Sequence, residues 1–242
     1  MSKFVALIRR ELGVYFVSPL AYITLMALLF IAGLTFYYSV KNAVGMRVPG
    51  SFEGPLYAID LVVIFTSALV TMRLVAEEKA KGTIEILLTA PVTEAQVVLS
   101  KFIAALTLLA FLLIPTSGFA VILARYGSVD FGQVWCGYLG VLLLGAALYS
   151  IGLFVSSLCT SQITAGIITF SVVILLLIGN IGAAFMPEAS VWRQLLDLVN
   201  LGSNLGDFMR GVVDSGRLLY LVSLTVFFLF LTTRLLETRR WR

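Results

Sequence analysis

The chain has 242 residues, of which 60% are hydrophobic and only 12% are charged, and its mean hydropathy is +1.03. Soluble domains average about 45–50% apolar and about 25% charged residues, so the composition excludes an ordinary soluble protein. The chain contains no histidine, which excludes Ser-His catalysis, bis-histidine haem ligation and the usual zinc sites. It also contains no GxxxxGK(S/T) phosphate loop, so we expect any ATP to be bound by another chain.

Residues 1–17 have the pattern of a helix that lies in the membrane interface. The apolar residues recur at helical spacing, and we expect Lys3, Arg10 and Glu11 to turn away from them. Ser18 is placed as an N-cap and Pro19 as the first residue of a new helix, which predicts a bend between the two. The alternative is a frayed continuation of the first spanning helix. The apolar face of the interfacial helix consists of Phe4, Leu7, Ile8, Leu12 and Tyr15.

Six apolar runs are long enough to cross a bilayer, which takes about 20 helical residues. Since unsatisfied backbone groups are not tolerated in lipid, each run should be a helix. We therefore predict an all-α integral membrane protein with six transmembrane helices in a single domain, residues 1–242. The first run is too long for an ordinary signal-peptide core and should itself address the chain to the membrane. The predicted spans are residues 19–40, 56–72, 98–123, 134–158, 163–185 and 218–236.

Lysine and arginine are distributed unevenly over the segments between these spans. With the N-terminus in the cytoplasm, inner segments hold eleven of the 17 Lys and Arg residues. Inner loops of membrane proteins carry such an excess, so we predict that both termini are cytoplasmic. Residues 77–96, hereafter the insert, then also lie on the cytoplasmic side. The net charge of +4 is explained by attraction to the inner leaflet and requires no nucleic acid partner.

The insert reads EEKAKGTIEILLTAPVTEAQ and lies between the second and third apolar runs. Its residues predict a short helix with a defined start and a defined end. Gly82 is a helix breaker, and the next apolar residues share one helical face. Pro91 ends this helix, because the residue before a proline avoids the α region. Residues 93–96 fit a capping box that starts the third span, with Val92 and Val97 as its hydrophobic staple. The alternative is a polar linker with an incidental turn of helix.

Two polar residues inside predicted spans, Asp60 and Asn180, are candidates for function, because polar groups are costly in a membrane. Asp60 lies near the outer end of the second run and is a candidate for the transport pathway; the alternative is a hydrated helix end. Asn180 lies in the outer half of the fifth run and is the second pathway candidate, with hydrogen bonding between packed helices as the alternative. Both belong to an alternative function for the chain, a stand-alone secondary transporter or channel.

Proline and glycine residues predict where the helices bend and approach one another. Pro115 should kink the third span, and four glycines in the fourth run should permit close helix packing. The outer segment between the fifth and sixth runs, residues 186–217, carries apolar stripes that predict two short amphipathic helices at or dipping into the outer interface. The alternative is a capped loop. The four glycines are Gly137, Gly140, Gly145 and Gly152.

The amino-acid sequence around the insert resembles the signature of a known family. The pattern TMR-x-x-x-EE-x-x-x-GT-x-E-x-LLT-x-P-V, from Thr71 to Val92, is similar to the signature of type-2 ABC exporter permeases, most closely the gliding-motility-associated branch. FMRGVVDSGRLLY, from Phe208 to Tyr220, resembles that branch's stretch before the last helix. The chain departs from the family at Ser67-Ala68, where a proline often precedes TMR, so the local helix geometry is expected to differ.

The resemblance implies the membrane subunit of an ATP-driven exporter in the bacterial inner membrane. Such a permease works with a second permease subunit, identical or related, and with two cytoplasmic ATPase subunits that bind ATP and Mg. It leaves open an additional membrane or periplasmic subunit. The permease itself would have no catalytic residue, metal or cofactor, and the cargo is not specified. An intramembrane enzyme acting on lipid is a further alternative, for which no histidine or paired-carboxylate motif is present.

The resemblance also implies a role for the insert. Its short helix, residues 83–90, would dock into a groove on the ATPase as a coupling helix, with the N-terminal interfacial helix beside it. Apolar residues would fill the groove, glutamates would pair with basic residues of the ATPase, and Gly82 and Pro91 would set the helix angle. The residues implied in ATPase coupling are Glu77, Glu78, Gly82, Thr83, Ile84, Glu85, Leu87, Leu88 and Pro91.

Overall fold

A computed structural model describes residues 3–46, 52–83, 93–126, 129–184 and 206–240 of the chain. Over these ranges every long regular element is an α-helix, which agrees with the predicted all-α class. The helices are α1 Lys3–Val17, α2 Pro19–Met46, α3 Glu53–Thr71, α4 Ala76–Ala80, α5 Glu94–Leu113, α6 Ser117–Tyr126, α7 Phe131–Leu158, α8 Gln162–Ala184 and α9 Ser215–Arg240.

Five stretches of the described chain are long and apolar enough to cross a membrane, which makes this a multi-pass membrane protein. The fifth predicted run coincides with α8, of which Gln162–Leu177 forms a shorter apolar helix. The count of six spans therefore stays a prediction. The five stretches are Pro19–Asn42, Glu53–Ala80, Glu94–Arg125, Phe131–Leu158 and Ser215–Thr238.

The bend predicted between α1 and α2 is present, and the alternative of one frayed helix is wrong. α1 ends at Val17 and α2 begins at Pro19. The Ser18 hydroxyl accepts a hydrogen bond from the Leu20 amide at 3.3 Å, as an N-cap side chain does. The bend lets α1 pack along α5 while α2 packs along α3.

The third predicted span, residues 98–123, is two helices instead of one. α5 ends at Leu113, α6 begins at Ser117, and the turn between them contains Pro115. Proline lacks the amide proton that would continue the helix, so the kink predicted from the sequence has its expected cause. The turn is held by Thr116, whose hydroxyl lies 2.9 Å from the Tyr138 hydroxyl of α7.

α7 is the central helix of the bundle and packs against α3, α5, α8 and α9. Its glycines are the points of closest approach. A Cβ atom at Gly137 would overlap Leu56, one at Gly145 would overlap Leu109, and one at Gly152 would overlap Thr71. The close packing predicted for these glycines is thus seen in the structure.

Replacing Gly152 with valine is expected to destabilise the bundle by about 1–3 kcal/mol, because the added side chain has no room against Thr71. The melting temperature of the detergent-solubilised protein measures this effect. Gly118→Val is the matched control, since a Cβ at Gly118 meets nothing within 4 Å. Equal melting temperatures for the two variants would contradict the packing described for α7.

Two residues in the described end of the outer segment, Phe208 and Met209, are anchored in the bundle, whereas Val212 and Val213 after them are exposed. Phe208 and Met209 are fully buried, and Phe208 fills the space beside Gly140 of α7. The Gln133 side-chain amide donates to the Met209 carbonyl at 2.8 Å and to Glu53 at 3.2 Å. These contacts attach the outer segment to the first turns of α3 and α7. The rest of the predicted amphipathic helices, residues 186–205, lies outside the described residues.

Candidate functional site

Four charged side chains meet where α1, α4 and α5 come together. We refer to them as the ion cluster: Arg10 and Glu11 of α1, Glu78 of α4, and Lys101 of α5. The Lys101 ammonium lies 3.1 Å from Glu11 and 2.8 Å from Glu78. Arg10 reaches the same two carboxylates, at 2.5 Å and 3.0 Å. Two cations and two anions therefore alternate in a closed ring with no net charge.

The burial of Lys101 makes this ring energetically important. Its side chain is only 2% exposed and that of Glu11 9% exposed, whereas Arg10 keeps nearly half of its surface in solvent. Charges taken out of water require close partners, and loss of one partner leaves a costly buried charge. Partial burial lowers the pKa of Arg10, but the hydrogen bonds and charges of Glu11 and Glu78 outweigh it and raise that pKa overall.

Local sequence positions each member of the ring. The Thr93 hydroxyl accepts from the Gln96 amide and the Gln96 side chain accepts from the Thr93 amide, each at 3.3 Å. The predicted capping box is thereby confirmed, and it sets where α5 begins and where Lys101 falls. Gly82 takes φ +68°, a left-handed conformation that glycine adopts at helix ends. Its predicted role as a breaker is confirmed, since α4 ends just before it.

α4 is also attached to the end of α7. The Ser156 hydroxyl accepts hydrogen bonds from the Val75 and Ala76 amides, at 3.2 Å and 3.0 Å. These are amides at the start of α4, which the helix itself leaves unsatisfied. The Lys79 ammonium donates to the Ser157 carbonyl. A helix of only five residues is therefore held on one side by the ion cluster and on the other by α7.

Polar contacts continue from the ion cluster toward the bend between α1 and α2. The Arg73 guanidinium donates to the Ser18 hydroxyl at 2.9 Å, and the Tyr15 hydroxyl faces the Val70 carbonyl at 3.5 Å. Burial, together with the negative charge of Glu11, raises the pKa of Tyr15 well above its ordinary value, so the phenol stays neutral. A cavity of about 270 Å³ is lined by Arg73, by the ion cluster and by the first residues of the insert.

The predicted position of Glu11 is wrong. The sequence pattern turned Glu11 toward solvent, but its residue exposure is 7% and it lies on the buried face with Tyr15. The physical reason is the buried Lys101, which offers a partner that a lipid interface would not. The remaining residues of the predicted apolar face, Phe4, Leu7, Ile8 and Leu12, are half-buried or partly exposed.

Only part of the predicted coupling segment lies in the described chain. Glu77 pairs with Lys81 at 2.6 Å and Glu78 belongs to the ion cluster, so both glutamates contact basic residues of their own chain. Their pairing with an ATPase stays a prediction. Thr83 is exposed, and its amide donates to the Glu78 carbonyl at 3.0 Å. Residues outside the described ranges are Ile84, Glu85, Leu87, Leu88 and Pro91.

The two predicted pathway residues are placed differently. Asp60 is 8% exposed and is the eighth residue of α3, and its role as a pathway residue or as part of a hydrated helix end stays a prediction. Asn180 falls in α8, and its side chain lies outside the described residues.

Sequence reasoning missed Lys101 and Arg10 as members of a site. Lys101 entered only the count of inner-segment cations, and Arg10 entered that count and the polar side of the N-terminal helix. A lysine within a predicted span, residues 98–123, is a costly group that requires a partner. That signal was available, but it does not tell which of several acidic residues supplies the partner.

Comparison with known protein families gives a match over nearly the whole chain. A family model described as "ABC-2 family transporter protein" matches residues 6–241. The chain belongs to the ABC-2 transporter family. Membership confirms the type-2 ABC permease resemblance at the level of the family, while assignment to the gliding-motility-associated branch stays a prediction.

Two individual relatives match this ABC-2 family chain over only part of its length and at low sequence identity. It is 29% identical over 144 residues to "Probable multidrug ABC transporter permease YbhR" of Escherichia coli strain K12 and, equally, to the protein of the same name from Escherichia coli O157:H7. The similar stretch covers 59% of this chain and 38% of each relative. The chain therefore aligns with less than half the length of the curated relatives it matches.

Proposed function

We propose that this chain is the membrane subunit of an ATP-driven exporter of the gliding-motility-associated branch. It works in the bacterial inner membrane, with both termini in the cytoplasm, as a dimer with two separate ATPase subunits. The proposal rests on the ion cluster, which joins the beginning of the insert to α1 and α5. Family membership and the residue pattern from Thr71 to Val92 support the same function.

The ion cluster suits the transfer of motion from an ATPase to the membrane bundle. Residues 77–80 of the insert belong to α4. The Glu78 pair with buried Lys101 joins α4 to α5, the partly exposed Arg10–Glu78 pair joins it to α1, and Ser156 joins it to α7. Because separating a buried ion pair is costly, α4 cannot shift alone without a large loss of stability. A push on the insert is therefore passed to three helices together, as in a rigid-body switch.

Changing Leu87 and Leu88 together to glutamate is expected to abolish copurification with the ABC ATPase subunit that we propose assembles with this chain. Two charges cannot enter an apolar groove without a heavy desolvation cost. The measurement is the amount of ATPase that elutes with the tagged permease from coexpressing cells, together with its ATP hydrolysis rate.

Leu87→Met with Leu88→Met is the matched control, because it keeps both side chains apolar and close in volume. This control should retain the ATPase. Unchanged assembly and hydrolysis in the double-glutamate variant would rule out residues 83–90 as the docking helix.

A further inference from the structure

A cavity of about 480 Å³ lies between α2, α3, α7 and α8, away from the ion cluster. Its volume is within the range of small-molecule sites, about 300–1,000 Å³. Apolar side chains make up most of its lining, and one acidic side chain reaches it, that of Asp60. The apolar lining residues are Ile31, Tyr57, Leu61, Ile64, Leu144 and Leu177.

Asp60 of α3 has no hydrogen-bond or ion-pair partner in the described part of the chain. It lies about 10 Å from the start of α3, at 1.5 Å per residue. The residue is 8% exposed, and its buried Oδ1 atom has no hydrogen-bond partner among the described residues. Thr35, the other polar residue of the lining, donates its hydroxyl to carbonyls of its own helix. A carboxyl group in such a place is costly unless something compensates for it.

We propose that this cavity is a binding site for lipophilic organic cations, with Asp60 as the counter-charge. The inference rests on the proposed exporter function, since it names the cargo class that the membrane subunit takes up. A cation supplies the opposite charge for the Asp60 carboxylate. The apolar part of the same ligand contacts the apolar residues that line the rest of the cavity. The exposed Tyr57 ring adds a face on which a delocalised cation can rest.

Other ligand classes fit this cavity less well. An organic anion would be repelled by Asp60 in a medium of low dielectric constant. A divalent metal ion takes several oxygen ligands, and the described residues contain no cluster of three metal-ligating side chains. A neutral apolar molecule would fill the space but leave Asp60 without compensation.

The test uses two probes of nearly equal size and opposite charge, tetraphenylphosphonium and tetraphenylborate. The full chain is reconstituted in lipid nanodiscs without an ATPase, and binding of each probe is measured by equilibrium dialysis. We expect saturable tetraphenylphosphonium binding that weakens about tenfold or more in Asp60→Asn, because a buried charge pair is lost. Asp60→Glu, which keeps the charge, should retain most of the affinity.

Asp214→Asn is the matched control. It removes a carboxylate that is 46% exposed beside Arg217, so tetraphenylphosphonium affinity should not change. The inference is overturned if wild-type protein shows no saturable tetraphenylphosphonium binding, if Asp60→Asn binds it as tightly, or if tetraphenylborate binds the wild type equally well. Since no ATPase is present, these results do not depend on coupling. Binding without ATPase assembly would instead contradict the exporter function alone.

Discussion

Replacing Lys101 with methionine is expected to lower the free energy of unfolding by about 3–5 kcal/mol, because Glu11 and Glu78 lose the buried one of the two cations that they share. Methionine matches the length of the lysine stem, so little of this loss should come from a cavity. The measurement is equilibrium unfolding of the purified protein in mixed detergent micelles. Among single substitutions in the described chain, this one should have the largest effect on the ion cluster.

A double variant separates the charge effect from simple loss of packing. Lys101→Met combined with Glu11→Leu removes one cation and one anion, and it leaves Arg10 and Glu78 paired at 3.0 Å. We expect the double variant to be more stable than Lys101→Met alone, since neighbouring sites in one network are not additive. If the two single losses simply add, the four side chains do not act as one ring.

Lys81→Met provides a control of the same chemistry at an exposed position. Lys81 pairs with Glu77 at 2.6 Å, but its side chain is 65% exposed. Surface pairs of this kind contribute about 0–1 kcal/mol, so the control should unfold almost as the wild type does. A loss as large as that of Lys101→Met would mean that burial is not the cause.

Replacing Ser156 with alanine is expected to lower the free energy of unfolding by about 2–6 kcal/mol. Two buried amides, those of Val75 and Ala76, would lose their acceptor, and each unsatisfied buried donor costs about 1–3 kcal/mol. The same unfolding measurement applies. Limited proteolysis at the insert should also become faster, because α4 would be released from α7.

Two other serine substitutions test this interpretation. Ser156→Thr keeps the hydroxyl and should preserve most of the stability. Ser150→Ala removes a buried hydroxyl that bonds only to the Ala147 carbonyl of its own helix, and it should cost much less. Equal losses in Ser156→Ala and Ser150→Ala would show that Ser156 does not hold α4.

Several features of the fold could be predicted because they depend on near neighbours in the chain. The capping box at Thr93 and Gln96, the breaker at Gly82 and the kink at Pro115 each act within about one helical turn. Apolar runs predict spanning helices for a similar reason, since each must satisfy its own backbone in lipid. Glycines in α7 predicted close packing, although not which residues they approach.

Predictions that depended on distant residues were less complete. Glu11 was placed on the wrong face because its partner, Lys101, is 90 residues away. The outer segment was expected at or dipping into the interface, and no local pattern shows that Phe208 packs beside Gly140 of α7 or that Gln133 holds the Met209 carbonyl. Docking of the insert onto an ATPase stays a prediction that rests on the family resemblance, since residues 84–92 lie outside the described chain.

The sequence by itself determined the membrane class, most helix boundaries and, through the insert, the family resemblance that the comparisons confirmed. These follow from hydrophobic length, caps and breakers, which are properties of contiguous residues. Only the tertiary structure decided that Arg10, Glu11, Glu78 and Lys101 form one ring and that Asp60 faces an apolar cavity. A buried charge is stabilised by whichever opposite charge the packed helices bring within about 3–4 Å, and that distance depends on the packing of helices far apart in the chain.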